Sequence, residues 1–117
     1  MTLERVLVLS AILFCIGLYG FLTKRNVITM LMSIELMFNG VNVAAIAMSR
    51  YVAPLGLRDD PFATADDLVQ MVLTGQVFAM FIIAVAAAEV ALGLAIVIAV
   101  YRYRQTVDVT ELNLMRR

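Results

Sequence analysis

The stretch Gln70–Tyr101, QMVLTGQVFAMFIIAVAAAEVALGLAIVIAVY, carries a single charge, Glu89. An apolar run of this length exceeds the roughly 18 residues that mark a membrane-spanning helix. It shows no period-2 alternation, so an α-helix rather than a barrel strand is the expected form. Outward from it, the apolar character extends over about residues 68–103. Two further runs precede it, at about 3–23 and 26–49. The first is uncharged from Val6 to Thr23, and the second is charged inside only at Glu35. The chain has 117 residues, 63% of them hydrophobic, and a mean hydropathy of +0.96. A soluble domain this small could not hide so much apolar surface. The expected fold is an all-α membrane protein with three transmembrane helices, one unit over residues 1–117.

The connections set the expected orientation. Lys24 and Arg25 sit in a tight first turn, and the polar tail 104–117 follows Arg102 and Arg104 and ends in Arg116 and Arg117. The loop 50–67 holds Arg50 and Arg58 amid Asp59, Asp60, Asp66 and Asp67, and Arg5 lies at the same side. The excess of Lys and Arg on the turn-and-tail side places the N-terminus outside and the C-terminus in the cytoplasm. Thr64 with Asp67 three residues later reads as a helix-capping pair, so the third helix is expected to begin near Ala65, outside the apolar layer. The first apolar run is longer than a signal-peptide core and has no small-residue cleavage pattern after it, so it reads as a retained helix.

Two residues carry the chemistry. Glu35 lies about 13 Å along its helix from Asn26, and Glu89 about 18 Å from Tyr101, at 1.5 Å per residue. Both fall inside a hydrocarbon layer about 30 Å thick. An ionised carboxylate there costs at least about 2 kcal/mol, which makes such a residue a functional candidate by default. A carboxyl in that setting takes up or releases a proton in step with its surroundings, as a relay requires. Asn39 and Asn42 follow Glu35 at four and seven residues and extend it into a polar stripe. The stripe reads either as part of a relay or as hydrogen-bonding glue between helices. Glu89 lies among Ala84, Ala88, Ala91, Ala95 and Ala99, a small-residue face that permits close helix approach. It too reads as a relay group or as a protonated donor between helices. Gly17 and Gly20 indicate close packing of the first helix. Tyr101 and Tyr103 beside Arg102 and Arg104 read as an interfacial anchor.

Several function classes are excluded. Nine basic and nine acidic residues cancel, and no basic patch suits nucleic acid. One cysteine, Cys15, and no histidine leave no intrachain disulfide, no expected metal site and no Ser-His or Cys-His nucleophile. No phosphate loop or nucleophile elbow is present. The chain is not expected to bind a cofactor itself, and partner helices should enclose its two glutamates.

The stretch Met32–Asn42, MSIELMFNGVN, preceded by Arg25-Asn26, resembles the second helix of subunit K, the 4L type, of NADH-quinone oxidoreductase. Gly75-Gln76-Val77-Phe78 and Ala86–Ile96, AAAEVALGLAI, resemble its third helix. Leu13–Gly20 and Leu112–Met115 also fit, so the resemblance runs along nearly the whole chain in order. It implies a membrane-arm subunit of respiratory complex I or a photosynthetic relative, in a bacterial inner membrane or a thylakoid membrane. It implies subunits A, J and N as neighbours, besides lipid. It implies that Glu35 and Glu89 join a proton path coupled to quinone reduction elsewhere in the complex, with Lys24 and Arg25 near its cytoplasmic end. The quinone and the electron donor, NADH or reduced ferredoxin, would be used by other subunits. The segment around 57–68 looks longer than the family's usual second loop. Rival readings are the related small subunit of a multisubunit cation-proton antiporter, a rotary proteolipid and a structural scaffold. The paired glutamates speak against the first, and the third helix against the second.

Overall fold

The computed structural model describes residues 2–52, 55, 62 and 64–113. Among them are three helices long and apolar enough to cross a membrane. They are α1, Leu3–Thr23, α2, Val27–Tyr51, and α3, Ala65–Arg104. A short 3-10 turn, Val109–Glu111, follows. Half of the expected loop 50–67, residues 53, 54, 56–61 and 63, lies outside the described residues, and with it half of the segment 57–68 that reads as long.

The helix ends follow local chemistry. Asn26 caps α2, its side-chain oxygen accepting from the Ile28 N–H at 2.9 Å, which satisfies one of the first turn's unpaired donors. α2 runs on past the expected boundary at Ser49 to Tyr51. α3 opens before Leu68, at Ala65, on a reciprocal capping box between Thr64 and Asp67. The Thr64 N–H donates to Asp67 Oδ2 at 2.8 Å and the Asp67 N–H to Thr64 Oγ1 at 3.4 Å. At its other end α3 stops at Gln105, which adopts the left-handed conformation with φ 58°.

α2 is the central element, with α1 and α3 packed antiparallel on different faces of it, while α1 and α3 share no comparable interface. The α1 contact is built from small residues. Ser10 and Gly17 are buried on α1, and Ser33, Gly40 and Ala47 on α2. Their spacing of seven keeps each set on one stripe. The Ser10 hydroxyl donates to the Gly40 carbonyl at 2.7 Å. A Cβ on Gly17 would sit 2.7 Å from the Ser33 carbonyl oxygen, and one on Gly20 would crowd the Ser33 side chain. The expected close packing around Gly17 and Gly20 is therefore the α1–α2 contact.

The α3 seam toward α2 runs through Val72, Gly75, Ala79, Ile82, Ala86, Val90, Gly93, Val97 and Val100, alternating in steps of three and four. These residues are buried or half-buried, and the rest of α3 beyond Val72 up to Arg104 is exposed. Ala84, Ala88, Ala91, Ala95 and Ala99 are all exposed. At about 100° per residue they lie opposite the seam. This alanine face thus does not serve packing within the chain, where α3 uses Gly75, Ala79, Ala86 and Gly93 together with the branched aliphatics of the seam.

Candidate functional site

The α2–α3 register sets the two glutamates level with one another. The Leu31 side chain lies where a Gly93 Cβ would be only 2.9 Å away, and Ser49 packs against Gly75 in the same way. Ser49 also donates to the Val72 carbonyl at 3.4 Å. The helices are antiparallel, so four residues on from Leu31 and four residues back from Gly93 reach the same height. Those residues are Glu35 and Glu89.

Neither carboxyl is enclosed by the chain. Glu35 is half-buried at the margin of the α2–α3 seam, and Glu89 is exposed. Glu89 lines two adjoining lateral clefts that share Phe38 and Ala86 as walls. One, of about 240 Å³, is completed by Phe78, Phe81, Ile82 and Val85. The other, of about 270 Å³, is completed by Leu31, Ile34 and Val90. Glu35 lines neither cleft. The arrangement offers one carboxyl against an aromatic and aliphatic wall and a second at the same height, both open to whatever covers the three-helix unit. Such groups can exchange protons through water or a partner's polar side chain, without histidine and without a redox group.

The polar stripe read from the sequence is divided by the packing. Asn42 is 5% exposed. It lies seven residues before Ser49 and eleven after Leu31, hence on the α2 face that meets α3. Its Oδ1 is buried with no hydrogen-bond partner among the described residues. Asn39 is exposed. The stripe therefore straddles the edge of the seam, with Asn42 inside, Glu35 at the margin and Asn39 outside. A buried amide oxygen without a partner costs about 1–3 kcal/mol, so Asn42 is not explained as packing alone.

Lys24 and Arg25 are exposed in the α1–α2 turn, and the C-terminal segment holds that turn. The Val27 N–H donates to the Val107 carbonyl at 3.0 Å, and the Val109 N–H to the Arg25 carbonyl at 2.9 Å. Asn26 and Asp108 thus face each other as an antiparallel pair. The segment has its own local bonds. Asp108 accepts from the Thr110 N–H and hydroxyl at 2.9 and 2.7 Å, and the Thr106 hydroxyl donates to Glu111 at 2.7 Å. The Thr110 hydrogen bonds hold the Asp108 carboxyl below the usual carboxylate range, and the nearby Arg25 charge adds to this. The sequence reading took residues 104–117 as a polar tail. The spacing Asp108-Val109-Thr110 is a turn signal that pointed to local structure, but nothing in it named the docking site.

The chain matches the family described as NADH-ubiquinone/plastoquinone oxidoreductase chain 4L over residues 5–117. It is 46% identical over 114 residues to NAD(P)H-quinone oxidoreductase subunit 4L of Synechocystis sp., covering 97% of this chain and 95% of that one. It is 47% identical over 116 residues to NADH-quinone oxidoreductase subunit K of Brevibacillus brevis, covering 99% and 97%. The chloroplastic subunit 4L of Chlorokybus atmophyticus is 41% identical over 117 residues, the full length of both. Three apolar helices in order and a match over nearly every residue lead to one conclusion: this chain belongs to the chain 4L family of NADH-ubiquinone/plastoquinone oxidoreductases.

Proposed function

We propose that this chain is a membrane-arm subunit of a proton-translocating quinone oxidoreductase, in which Glu35 and Glu89 form part of the proton path. Membership of a family whose named members are subunits of NADH- and NAD(P)H-quinone oxidoreductases supports the coarser half of this reading. The observation that carries the finer half is the level placement of two carboxyls on adjacent apolar helices, Glu89 exposed and Glu35 only half-buried by the chain's own side chains. A structural role alone would favour pairing them with donors inside the unit, because an unpaired carboxyl in a bilayer is costly.

In this reading the membrane is that of a bacterial cell or a thylakoid. The Lys and Arg bias puts the N-terminus outside and the Lys24–Arg25 turn on the cytoplasmic side. Neighbouring subunits, with A, J and N the expected ones, cover the Glu35 and Glu89 sides and supply the groups that pass protons to and from them. A proton taken up at one carboxyl moves through water or a polar side chain to the next group and leaves its donor ionised until reprotonation. Quinone and electron donor react in other subunits, and the chain's task is transport. The link to that distant chemistry requires a two-state element biased by both.

The test is the assembled complex in sealed vesicles with Glu35→Gln or Glu89→Gln, recording quinone reduction and proton translocation together. Gln keeps size and hydrogen bonding but carries no exchangeable acid. The expected result is normal assembly with translocation lost. Normal translocation in both variants would overturn the proton-path role.

A further inference from the structure

Residues 105–113 do more than hang from the end of α3. The left-handed Gln105 reverses the chain, and the two backbone hydrogen bonds to the α1–α2 turn then fix it. Under the returned segment is a small cavity of about 110 Å³. Val27, Ile96, Val97 and Val100 form its floor, and Thr106, Val107 and Leu112 its roof. Val97 is one of the three buried hydrophobic residues among those described. The cavity closes the end of the α2–α3 seam. It lies about 12 Å along the helices from the level of Glu35 and Glu89, eight residues away on each. Thr106 is the one polar side chain in its lining, and its hydroxyl is already bonded to Glu111, so water there lacks the two or more polar partners it needs. The exposed Lys24 and Arg25 lie in the turn that the segment grips.

We propose that residues 105–113 are a fixed lid that keeps the turn end of the α2–α3 seam dry, so that protons do not leak along the seam at this end. The lid works by exclusion. Val107 and Leu112 fill the path that a water chain would otherwise take down the seam, and the Val107 and Val109 backbone bonds hold them there. The lid does not move during turnover, since its anchor is two backbone bonds and a capped turn. This inference rests on the proton-path reading above.

The test uses the whole complex in sealed vesicles. The double variant Val107→Ser with Leu112→Ser shortens the roof and places hydroxyls over the cavity. An imposed pH step, followed without turnover, should decay several times faster than in the parent complex. Quinone reduction should persist with fewer protons moved per electron. The second variant is Asn26→Cys with Asp108→Cys in a Cys15→Ala background. An antiparallel pair of this type has Cα atoms about 4.5 Å apart, within the reach of a disulfide. Locking the lid should leave quinone reduction and translocation unchanged. An unaltered pH decay in the serine variant, or loss of translocation on forming the disulfide, overturns the lid. If the serine variant does not assemble, the disulfide decides. The pH decay is read without turnover, so it tests the lid even if Glu35→Gln and Glu89→Gln leave translocation intact and the proton-path reading falls.

Discussion

At single positions the α1–α2 contact tolerates little added volume. A methyl on Gly17 would lie 2.6 Å from Met37 Cγ and 2.7 Å from a backbone oxygen of α2. The methionine can turn aside, but the carbonyl cannot, so α1 must shift. Gly17→Ala is expected to destabilise the α1–α2 pair by about 1–3 kcal/mol, read as lower yield of assembled complex and easier denaturant release of α1. Ser10→Ala removes one buried interhelical hydrogen bond and should cost only about 0.6 kcal/mol. The two together test whether this contact depends more on shape than on hydrogen bonding. Asn42 offers the contrary case. Its buried Oδ1 lacks a partner among the described residues, so Asn42→Leu should leave the α2–α3 contact as stable as before or more so. If Asn42 instead serves the proposed path by holding water near Glu35, the same variant should assemble normally and translocate fewer protons per electron. Unfolding and vesicle measurements on one preparation separate these outcomes.

At the scale of elements, α3 is the exceptional helix. Its 40 residues reach about 60 Å, twice the hydrocarbon thickness. Because Gly75 packs at Ser49 and Val72 still meets the end of α2, the seven residues before Val72 project beyond α2 by about 10 Å. The capping box lies on this projection, outside the bilayer. Hydrogen bonds from the Thr64 backbone and side chain hold the Asp67 carboxyl below its usual range. The sign follows directly. A depressed folded-state value means that the ionised form is favoured by the cap, so the stabilisation is present above the ordinary carboxylate value near 4 and is lost as pH falls through the lower folded value. Acidification below the ordinary carboxylate range should therefore begin to fray the first turns of α3, seen as faster amide exchange at residues 65–70. Thr64→Ala should show that fraying at neutral pH and lose most of the acid response. The seam of α3 also explains why one helix carries two kinds of small residue. Gly75 and Gly93 face α2, where Ser49 and Leu31 need the space. The exposed alanine face has no such occupant within the chain.

For the molecule as a whole, the core is unusually thin. Ala47, Ala79 and Val97 are the buried hydrophobic residues among those described, while Phe81, Tyr19, Met80 and Leu92 are each more than 60% exposed. The unit measures 69 × 24 × 21 Å, and its helices stand in a row with α2 in the middle rather than in a closed bundle. Hydrophobic burial inside the chain therefore cannot be the main source of its stability, and lipid and neighbouring subunits must cover the rest. Taken out of the complex into detergent, the chain should keep its helices but lose the α2–α3 contact before the α1–α2 contact. Across the former the Ser49–Val72 hydrogen bond is part-buried and long at 3.4 Å, where Ser10–Gly40 is buried at 2.7 Å, and α3 has no α1 support. Amide exchange along α3 compared with α1 would measure this, and uniform protection across all three helices would contradict it.

Much of this protein was legible in its residues because a bilayer leaves few options. Uninterrupted apolar runs must be helices when no water can satisfy the backbone, so the three helices could be read by length. Glu35 and Glu89 stood out because a charge in such a run has no ordinary reason to be there. The Thr64–Asp67 cap was legible because its bonds are local. Tertiary structure decided what depends on the relative rotation and register of helices, which residue spacing within one helix does not contain. It divided Glu35, Asn39 and Asn42 among margin, exterior and interior, and turned the alanine face of α3 away from α2. It also brought Glu35 and Glu89, far apart in the chain, to one height. The docking of residues 105–113 on the Lys24–Arg25 turn was the least legible of all. Two backbone hydrogen bonds hold it, and backbone groups are the same in every sequence.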